Sequence, residues 1–368
     1  MKRLKSLFIA LILTLSLAAC GNQQNGAAAL PTSSADALQG DAGPTDNTED
    51  GLRILEQEPE EQAGTTEKSN TNARSDEHIS VDVAAKNAYV LNVDTDSVLY
   101  QKNSSEHIAP ASTAKLLTAL TALDYCLLSD TVTVGSEIDL IASDSSKAGL
   151  QKGDILTGKQ LLEALLLPSG NDAAYTLAVQ SGKRIADDEQ ISVSQAIQLF
   201  VDAMNKKAAD LGAASSCFKN PDGYDADGQY TSAFDLAQIA KACLENNKIS
   251  EIVRNFQIRD TLVNGREVTY QSTNELLNPI SQYYYSKAIG LKTGSTGNAG
   301  SCLISAAYID GQTYLCVIMG SSSGVRFSDS LTVFSAIDPS ISLEKEIKSG
   351  AVSAPGVPDI PSGGLAGS

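Results

Sequence analysis

Short β-rich runs at both ends of the globular stretch, with helical periodicity between them, constrain the fold of this chain more than any other feature. Ala88-Tyr89-Val90-Leu91-Asn92-Val93 and Ser97-Val98-Leu99-Tyr100 flank an Asp94-Thr95-Asp96 turn, which predicts an opening hairpin. Three more runs lie near the other end: Ala288 to Lys292, Ser301 to Ile309, and Gln312 to Met319. The last two are joined by Asp310-Gly311, a strong two-residue hairpin signal. Between the ends, apolar residues recur at helical spacing through Ile197, Val201, Met204, Ala208 and Leu211, stopped by Gly212. A second helix is predicted after Ser232, whose Asp235 three residues on resembles a capping box. An antiparallel sheet is therefore built from both ends of one domain with helices inserted, an α+β arrangement rather than alternating βαβ units.

What flanks that domain differs in composition. Lys2, Arg3 and Lys5 precede an apolar run from Leu7 to Ala19, too short and too asymmetrically flanked for a spanning helix, so residues 1–19 read as an export signal. It ends in Leu17-Ala18-Ala19-Cys20, which resembles a bacterial lipobox and implies a lipid thioether on Cys20 after cleavage. An ordinary signal peptide with a chance Cys is the alternative. The resulting expectation is an exported protein, anchored to the membrane through lipidated Cys20 on the outer face of the cytoplasmic membrane. Residues 21–80 hold twelve Asp or Glu against three Lys or Arg, about half of the net charge of −17, with no aromatic residue. Such a stretch cannot bury enough apolar surface to offset its ordering entropy, so residues 20–80 are expected to form a solvated acidic tether. Fully extended it would reach up to ~200 Å, which suggests that it sets the working distance of the domain from the membrane. The domain is expected over 81–345, and after Lys348 a Gly-, Pro- and Ser-rich tail, 346–368, shows no periodicity. The acidic balance leaves no basic face for nucleic acid.

Apart from Cys20, the cysteines are Cys126, Cys217, Cys243, Cys302 and Cys316, an odd set without metal-ligand or redox spacing. Cys243 and Cys316 fall in apolar patterns, as buried thiols do, and one disulfide among the five stays open. There is no HExxH, paired Cys-His set or acidic metal loop, so neither metal nor cofactor is assigned. Of the two histidines, His78 lies in the tether and His107 in a predicted loop, so a Ser-His-Asp triad would rest on His107 alone.

Chemistry resides instead in three strings: Ser112-Thr113-Ala114-Lys115, Ser169-Gly170-Asn171 and Lys292-Thr293-Gly294. A bare Ser-x-x-Lys is weak, and two further copies run from Ser216 to Lys219 and from Ser342 to Lys345. The third lies too near the end to be followed by the other strings, and Ser216 sits past the Gly212 helix stop, just before an Asn220-Pro221-Asp222-Gly223 turn. Ser112 instead follows Pro110-Ala111 and opens an apolar helical run through Leu123, which places Ser112 and Lys115 on one helix face. The free N–H groups of a helix start also favour an oxyanion. A lysine removes a hydroxyl proton near neutral pH only if burial or a neighbouring cation lowers its pKa, and Lys292 is a candidate neighbour. Ser169 and Asn171 are placed on a loop after the helical run Leu161 to Leu167, to relay protons and to orient a substrate amide. Lys292 and Thr293, at the end of a predicted strand, offer a cation and a hydroxyl to a carboxylate, and Gly294 permits close approach.

Together these strings resemble those of the D-alanyl-D-alanine carboxypeptidases, the low-molecular-mass penicillin-binding proteins among serine peptidases. The similarity runs roughly from Ala84 to Asp338 and includes Pro110 to Lys115, Leu167 to Asp172, Phe218 to Gly223, Ser272-Thr273-Asn274 with Leu276-Leu277, and Gly290 to Gly294. The resemblance implies a penicillin-binding/β-lactamase-like fold, a five-stranded antiparallel sheet flanked by helices with a helical subdomain and the site between them. It implies that Ser112 attacks the D-Ala-D-Ala bond of peptidoglycan stem peptides and that β-lactam antibiotics acylate the same residue. By the same resemblance Lys115 is the base, Ser169 the shuttle, Asn171, Lys292, Thr293 and Gly294 substrate ligands, and the N–H groups of Ser112 and Ser295 the oxyanion hole. Arg326 resembles a carboxylate-binding arginine of the family, with an intervening loop of different length. Many relatives carry a second β-rich domain and a C-terminal anchor, whereas about thirty residues follow the helix-like stretch Phe327 to Ile337 here.

Two rival functions follow from the same residues. A class A-like β-lactamase would need a carboxylate to activate water, which Glu275-Leu276-Leu277-Asn278 offers superficially, only seventeen residues before Lys292. An inactive wall-binding lipoprotein is opposed by intact Ser112, Lys115, Ser169 and Lys292.

Overall fold

The computed structural model describes residues 78–341. The export signal, Cys20, nearly all of the acidic tether, the Ser342 to Lys345 motif and the tail lie outside the described residues. The chain opens with β1 (Asn87–Asn92) and β2 (Ser97–Lys102), the predicted hairpin, and then enters a 3₁₀ turn (Ala111–Ala114) that runs directly into α1 (Lys115–Ala122). A small pair, β3 (Thr131–Thr133) and β4 (Ile155–Thr157), precedes α2 (Gly158–Leu166), α3 (Asn171–Ala186) and α4 (Val193–Asp210). Next come α5 (Ala233–Glu245), α6 (Asn247–Val253) and a second small pair, β5 (Gln257–Thr261) with β6 (Glu267–Gln271). The chain closes with β7 (Ala288–Thr296), β8 (Gly300–Ile309), β9 (Gln312–Ser321) and α7 (Val325–Ile337).

The main sheet has the order β2-β1-β9-β8-β7, antiparallel throughout. The two predicted hairpins are thus joined by pairing β1 with β9, which brings the ends of the domain together. Both faces of the sheet are covered. On one side Val90, Leu303 and Ile318 pack with Phe327 and Phe334 of α7, and on the other Leu91, Ile304 and Val317 share a core with Leu116 and Leu117 of α1. Double coverage explains why β8 and β9 read as continuous apolar runs instead of alternating. Phe334 is fully buried, so its replacement by Ala is expected to cost about 3–5 kcal/mol.

α1 is buried on every side, which makes it the central helix. Its polar residues are satisfied internally: Thr121 donates to the Leu117 carbonyl at 2.8 Å and Thr118 to the Pro221 carbonyl at 2.6 Å. Side chains cap the starts of α2, α4, α5 and α6, with one departure from expectation at α5. Thr157 with Gln160 and Ser192 with Gln195 form complete capping boxes. At Ser232 only half forms: its hydroxyl accepts from the Asp235 amide, while the Asp235 carboxylate accepts from Ser216 Oγ at 2.6 Å. The five cysteines of the described residues are buried free thiols, so none of the possible disulfides forms.

Candidate active site

The site begins at the junction of the 3₁₀ turn and α1. Ser112 lies in the tight turn and Lys115 is the first residue of the helix, so their three-residue separation leaves both side chains on one side. Lys115 is 0% exposed, and its Nζ donates to Ser112 Oγ at 2.9 Å and to the Asp222 carbonyl at 2.7 Å. Burial lowers its pKa to about 8, against the opposing pull of the Asp222 and Asp172 carboxylates. The amine therefore sits on the nucleophile in an environment that favours its neutral form.

The Asp222 carbonyl is delivered by a loop that tolerates no side chain at its centre. Gly223 has φ +79°, and a Cβ there would stand 1.8 Å from the Ala111 carbonyl oxygen. The loop is also held by Thr118 through Pro221, and by the Gly223 amide donating to Asn220 Oδ1 at 2.8 Å. The string Phe218 to Gly223 thus builds one wall of the Lys115 pocket.

The second string lies where α2 ends and α3 begins. Ser169 has φ +64° and Asn171 is the first residue of α3, not a loop residue as expected. Asn171 Nδ2 donates to Asp222 Oδ2 at 2.6 Å, which fixes the amide orientation and links the second string to the Lys115 wall. Asp172 accepts from the amides of Ala148, Gly149 and Leu150, each at 2.9 Å, and the Asn171 amide donates to the Ser146 carbonyl. Those bonds hold the preceding loop against the helix start. Ser169 Oγ and Asn171 Oδ1 are buried without a hydrogen-bond partner among the described residues.

The third string is on β7, the edge strand, where it faces the 3₁₀ turn. A Cβ on Gly294 would lie 2.9 Å from Ala111 Cβ and 3.0 Å from the Ser112 nitrogen, so glycine allows the strand to approach the nucleophile. Lys292 is 1% exposed and donates to the Thr293 carbonyl at 3.0 Å. Burial, then the charges of Lys115 and Arg326, push its amine well below the ordinary lysine range. Thr293 and Thr273 share a hydroxyl–hydroxyl bond, and Asn274 donates to the Gly290 carbonyl at 3.1 Å, so Ser272-Thr273-Asn274 braces β7 from outside the sheet. Arg326, on the first turn of α7, donates to Ser295 Oγ at 2.8 Å and the Gly294 carbonyl at 3.0 Å. Its pKa is lowered by burial.

These elements enclose an open cleft of about 160 Å³ whose walls include Ser112, Asn171, Asp222 and Ser295. Of the other predicted residues, Lys115 bonds Ser112, Lys292, Thr293 and Gly294 lie within β7, Arg326 bonds Ser295, and Ser169 is not among the residues lining the cleft. The rival groups lie elsewhere. His107 is exposed, bonded to Ser215 Oγ and stacked on Tyr230. Glu275 accepts from Asn278 Nδ2 in its own turn. Sequence reasoning missed Asp144, Tyr224 and Asp225, which also line the cleft. Tyr224 and Asp225 directly follow the Phe218 to Gly223 string and were within reach of it, whereas Asp144 is brought there by long-range bonds, from Asp172 and Asn171 to its loop and from the Tyr224 hydroxyl to its carboxylate.

Comparison with known proteins gives a consistent result. The D-alanyl-D-alanine carboxypeptidase family matches residues 70–323. The chain is 33% identical to the D-alanyl-D-alanine carboxypeptidase DacF of Bacillus subtilis, over 65% of this chain and 58% of that protein. It is also 33% identical to a D-alanyl-D-alanine carboxypeptidase of a Streptomyces species, strain K15, over 66% of this chain and 82% of that one. The crystal structure of the Streptomyces K15 DD-transpeptidase superposes with a TM-score of 0.63 at 32% identity, covering 69% of this chain and 97% of the other. The match therefore spans less than two thirds of the Bacillus relative but nearly all of the Streptomyces structure.

Proposed function

The chain belongs to the D-alanyl-D-alanine carboxypeptidase family, and from that premise we propose that it is a serine-type carboxypeptidase that removes the terminal D-Ala of peptidoglycan stem peptides. In this reading Ser112 Oγ attacks the carbonyl between the two D-Ala residues as Lys115 Nζ accepts its proton. The backbone N–H groups of Ser112 and Ser295 stabilise the oxyanion. The proton passes to the departing D-Ala nitrogen, with Ser169 as relay, and the C–N bond breaks to leave an ester on Ser112. Water then adds to that ester and restores the serine. Asn171 and Thr293 hold the substrate backbone, and Arg326 provides the positive charge, with Lys292 and Thr293 as hydrogen-bond donors, on the side of its terminal carboxylate.

The observation that carries the reading is the contact between a fully buried Lys115 amine, its pKa lowered to about 8, and Ser112 Oγ at 2.9 Å. A lysine kept charged would hold the hydroxyl hydrogen in place; one that is about half neutral at pH 8 can remove it. The Streptomyces relative is called a carboxypeptidase in one case and a transpeptidase in another, and both reactions pass through the same ester. They differ only in whether water or an amine resolves it.

A fluorescent penicillin and a peptide ending in D-Ala-D-Ala test the proposal on the same protein. The expected result is a long-lived adduct, lost in Ser112→Ala, and release of D-Ala from the peptide. Rapid turnover of the penicillin would indicate a β-lactamase, and absence of both labelling and release an inactive wall-binding protein.

Localisation follows from chemistry at the other end of the chain. We infer an exported enzyme carried at the outer face of the cytoplasmic membrane by a lipid on Cys20, with residues 20–80 as a tether. The reading is supported by the Leu17 to Cys20 string and by a substrate that lies outside the membrane. No helix among the described residues is long and apolar enough to cross a membrane. Cys20→Ser is expected to shift the protein from the membrane fraction to the soluble one; unchanged fractionation would contradict the anchor.

A further inference from the structure

A second cavity lies between α2 and α6, and none of the residues that line it lines the cleft beside Ser112. Its volume is about 300 Å³, against about 160 Å³ for the cleft, which places it at the lower end of the range for small-molecule sites. Part of its lining is apolar: Leu128, Ile252 of α6 and Ile258 of β5. The rest carries charges of both signs. Lys159 and Glu163 stand four residues apart on α2, and Lys248 and Glu251 three apart on α6.

Glu163 is the unusual member of this set. Its side chain is 1% exposed, whereas that of Lys159, whose Nζ lies 2.7 Å from Oε1, is 57% exposed. An ion pair along a helix does not itself require a buried acid: Lys206 and Asp210 on α4 make the same four-residue pair with both side chains in solvent. Glu163 Oε2 is buried with no hydrogen-bond partner among the described residues. Burial raises the pKa of this carboxyl, and Lys159 pulls it back. A buried carboxylate oxygen in the wall of a cavity is an acceptor that a ligand N–H can satisfy. The protein's own donors nearby are committed, because Asn255 Nδ2 donates to the Glu251 and Ile252 carbonyls at 2.6 and 3.2 Å. Lys248 and Glu251 are exposed and form no ion pair among the described residues.

We propose that the cavity between α2 and α6 is a binding site for a small zwitterion, a free α-amino acid with an apolar side chain. Its ammonium donates to Glu163 Oε2, its carboxylate pairs with the exposed Lys248, and its side chain covers Leu128, Ile252 and Ile258. The two lysines and two glutamates of the lining balance in charge, so a ligand of one sign leaves the other unmatched, whereas a zwitterion answers both. The site is separate from the cleft, and the inference does not rest on the carboxypeptidase reading.

The test is a saturation-transfer NMR titration of the full chain with three probes: leucine, taken as each enantiomer, N-acetyl-leucine, which lacks the ammonium, and leucinamide, which lacks the carboxylate. The tighter leucine enantiomer is expected to bind with a Kd of about 1 mM or below, and each analogue about tenfold more weakly for the lost charge-assisted contact. Glu163→Gln keeps the shape of the side chain and removes its charge, and should weaken leucine about tenfold. Lys248→Ala changes an exposed side chain, so it remains informative if the buried substitution does not fold, and should weaken leucine about threefold. No binding of leucine up to about 10 mM, equal binding of the three probes, or leucine binding unchanged in either folded variant overturns the site. Binding is read without turnover, so neither result bears on the carboxypeptidase reading.

Discussion

Two stretches of this molecule carry the same Ser-x-x-Lys spacing and do opposite things. At Ser112 the chain turns through a 3₁₀ segment into a buried helix, so serine and lysine share one side and meet at 2.9 Å. At Ser216 the chain is extended and Cys217 forms a bridge with Tyr230. Three residues on, an extended backbone presents its side chain to the opposite face. Lys219 is exposed, while Ser216 Oγ donates to Asp235 at 2.6 Å and is 2.9 Å from Thr231 Oγ1. Backbone geometry, not spacing, decides whether the motif is a nucleophile with its base or a serine bracing a helix start.

The contrast can be attacked from both sides. The largest expected effect is in Ser112→Ala, which should abolish the penicillin adduct altogether, as read by fluorescence on a gel or by intact mass. Next comes Lys115→Ala, for which acylation should slow by about 10²- to 10⁴-fold, the range typical of a lost general base, while Lys219→Ala stays at the native rate. Gly223→Ala attacks the wall between the two stretches. It places a Cβ against the Ala111 carbonyl at positive φ, and a loss of about 3 kcal/mol or more is expected in a denaturant melt, with slower acylation as the Asp222 carbonyl moves off Lys115. The smallest effect belongs to Ser216→Ala: about 1–2 kcal/mol of stability from the lost bond to Asp235, with acylation within about twofold of native. If Ser216→Ala instead removed the adduct, the assignment of the two stretches would have to be exchanged.

How much of this was legible beforehand depends on how local each signal is. The two hairpins and the α4 and α5 helices are written in nearby residues, and they formed where the pattern placed them. Convergence of Ser112, Asn171 and Gly294 was inferred from string order and resemblance, and the structure brings those segments together. Three features were not legible because distant groups decide them. The half-formed cap at Ser232 depends on Ser216 capturing Asp235, nineteen residues away. The position of Asp144 depends on Asp172 gathering amides from residues 148–150. The approach of the Asp222 loop depends on a glycine against Ala111. The helical run Leu161 to Leu167 predicts a loop at Asn171, yet α3 starts almost at once with Gly170 as its cap.

The central claim is that Lys115, kept dry against Ser112, takes its proton. The sign of the pH dependence follows from the base having to be neutral: below a pKa of about 8 the amine is mostly charged, and each unit of lower pH should slow acylation about tenfold. The most direct measurement is the second-order rate of penicillin acylation from pH 6 to 9.5, in the native protein and in Lys115→Ala. The account predicts a rate that rises with pH and levels off near 8 in the native protein, and loses that limb in the variant. A native profile that is flat across this range, or a rising limb that persists without Lys115, would contradict it.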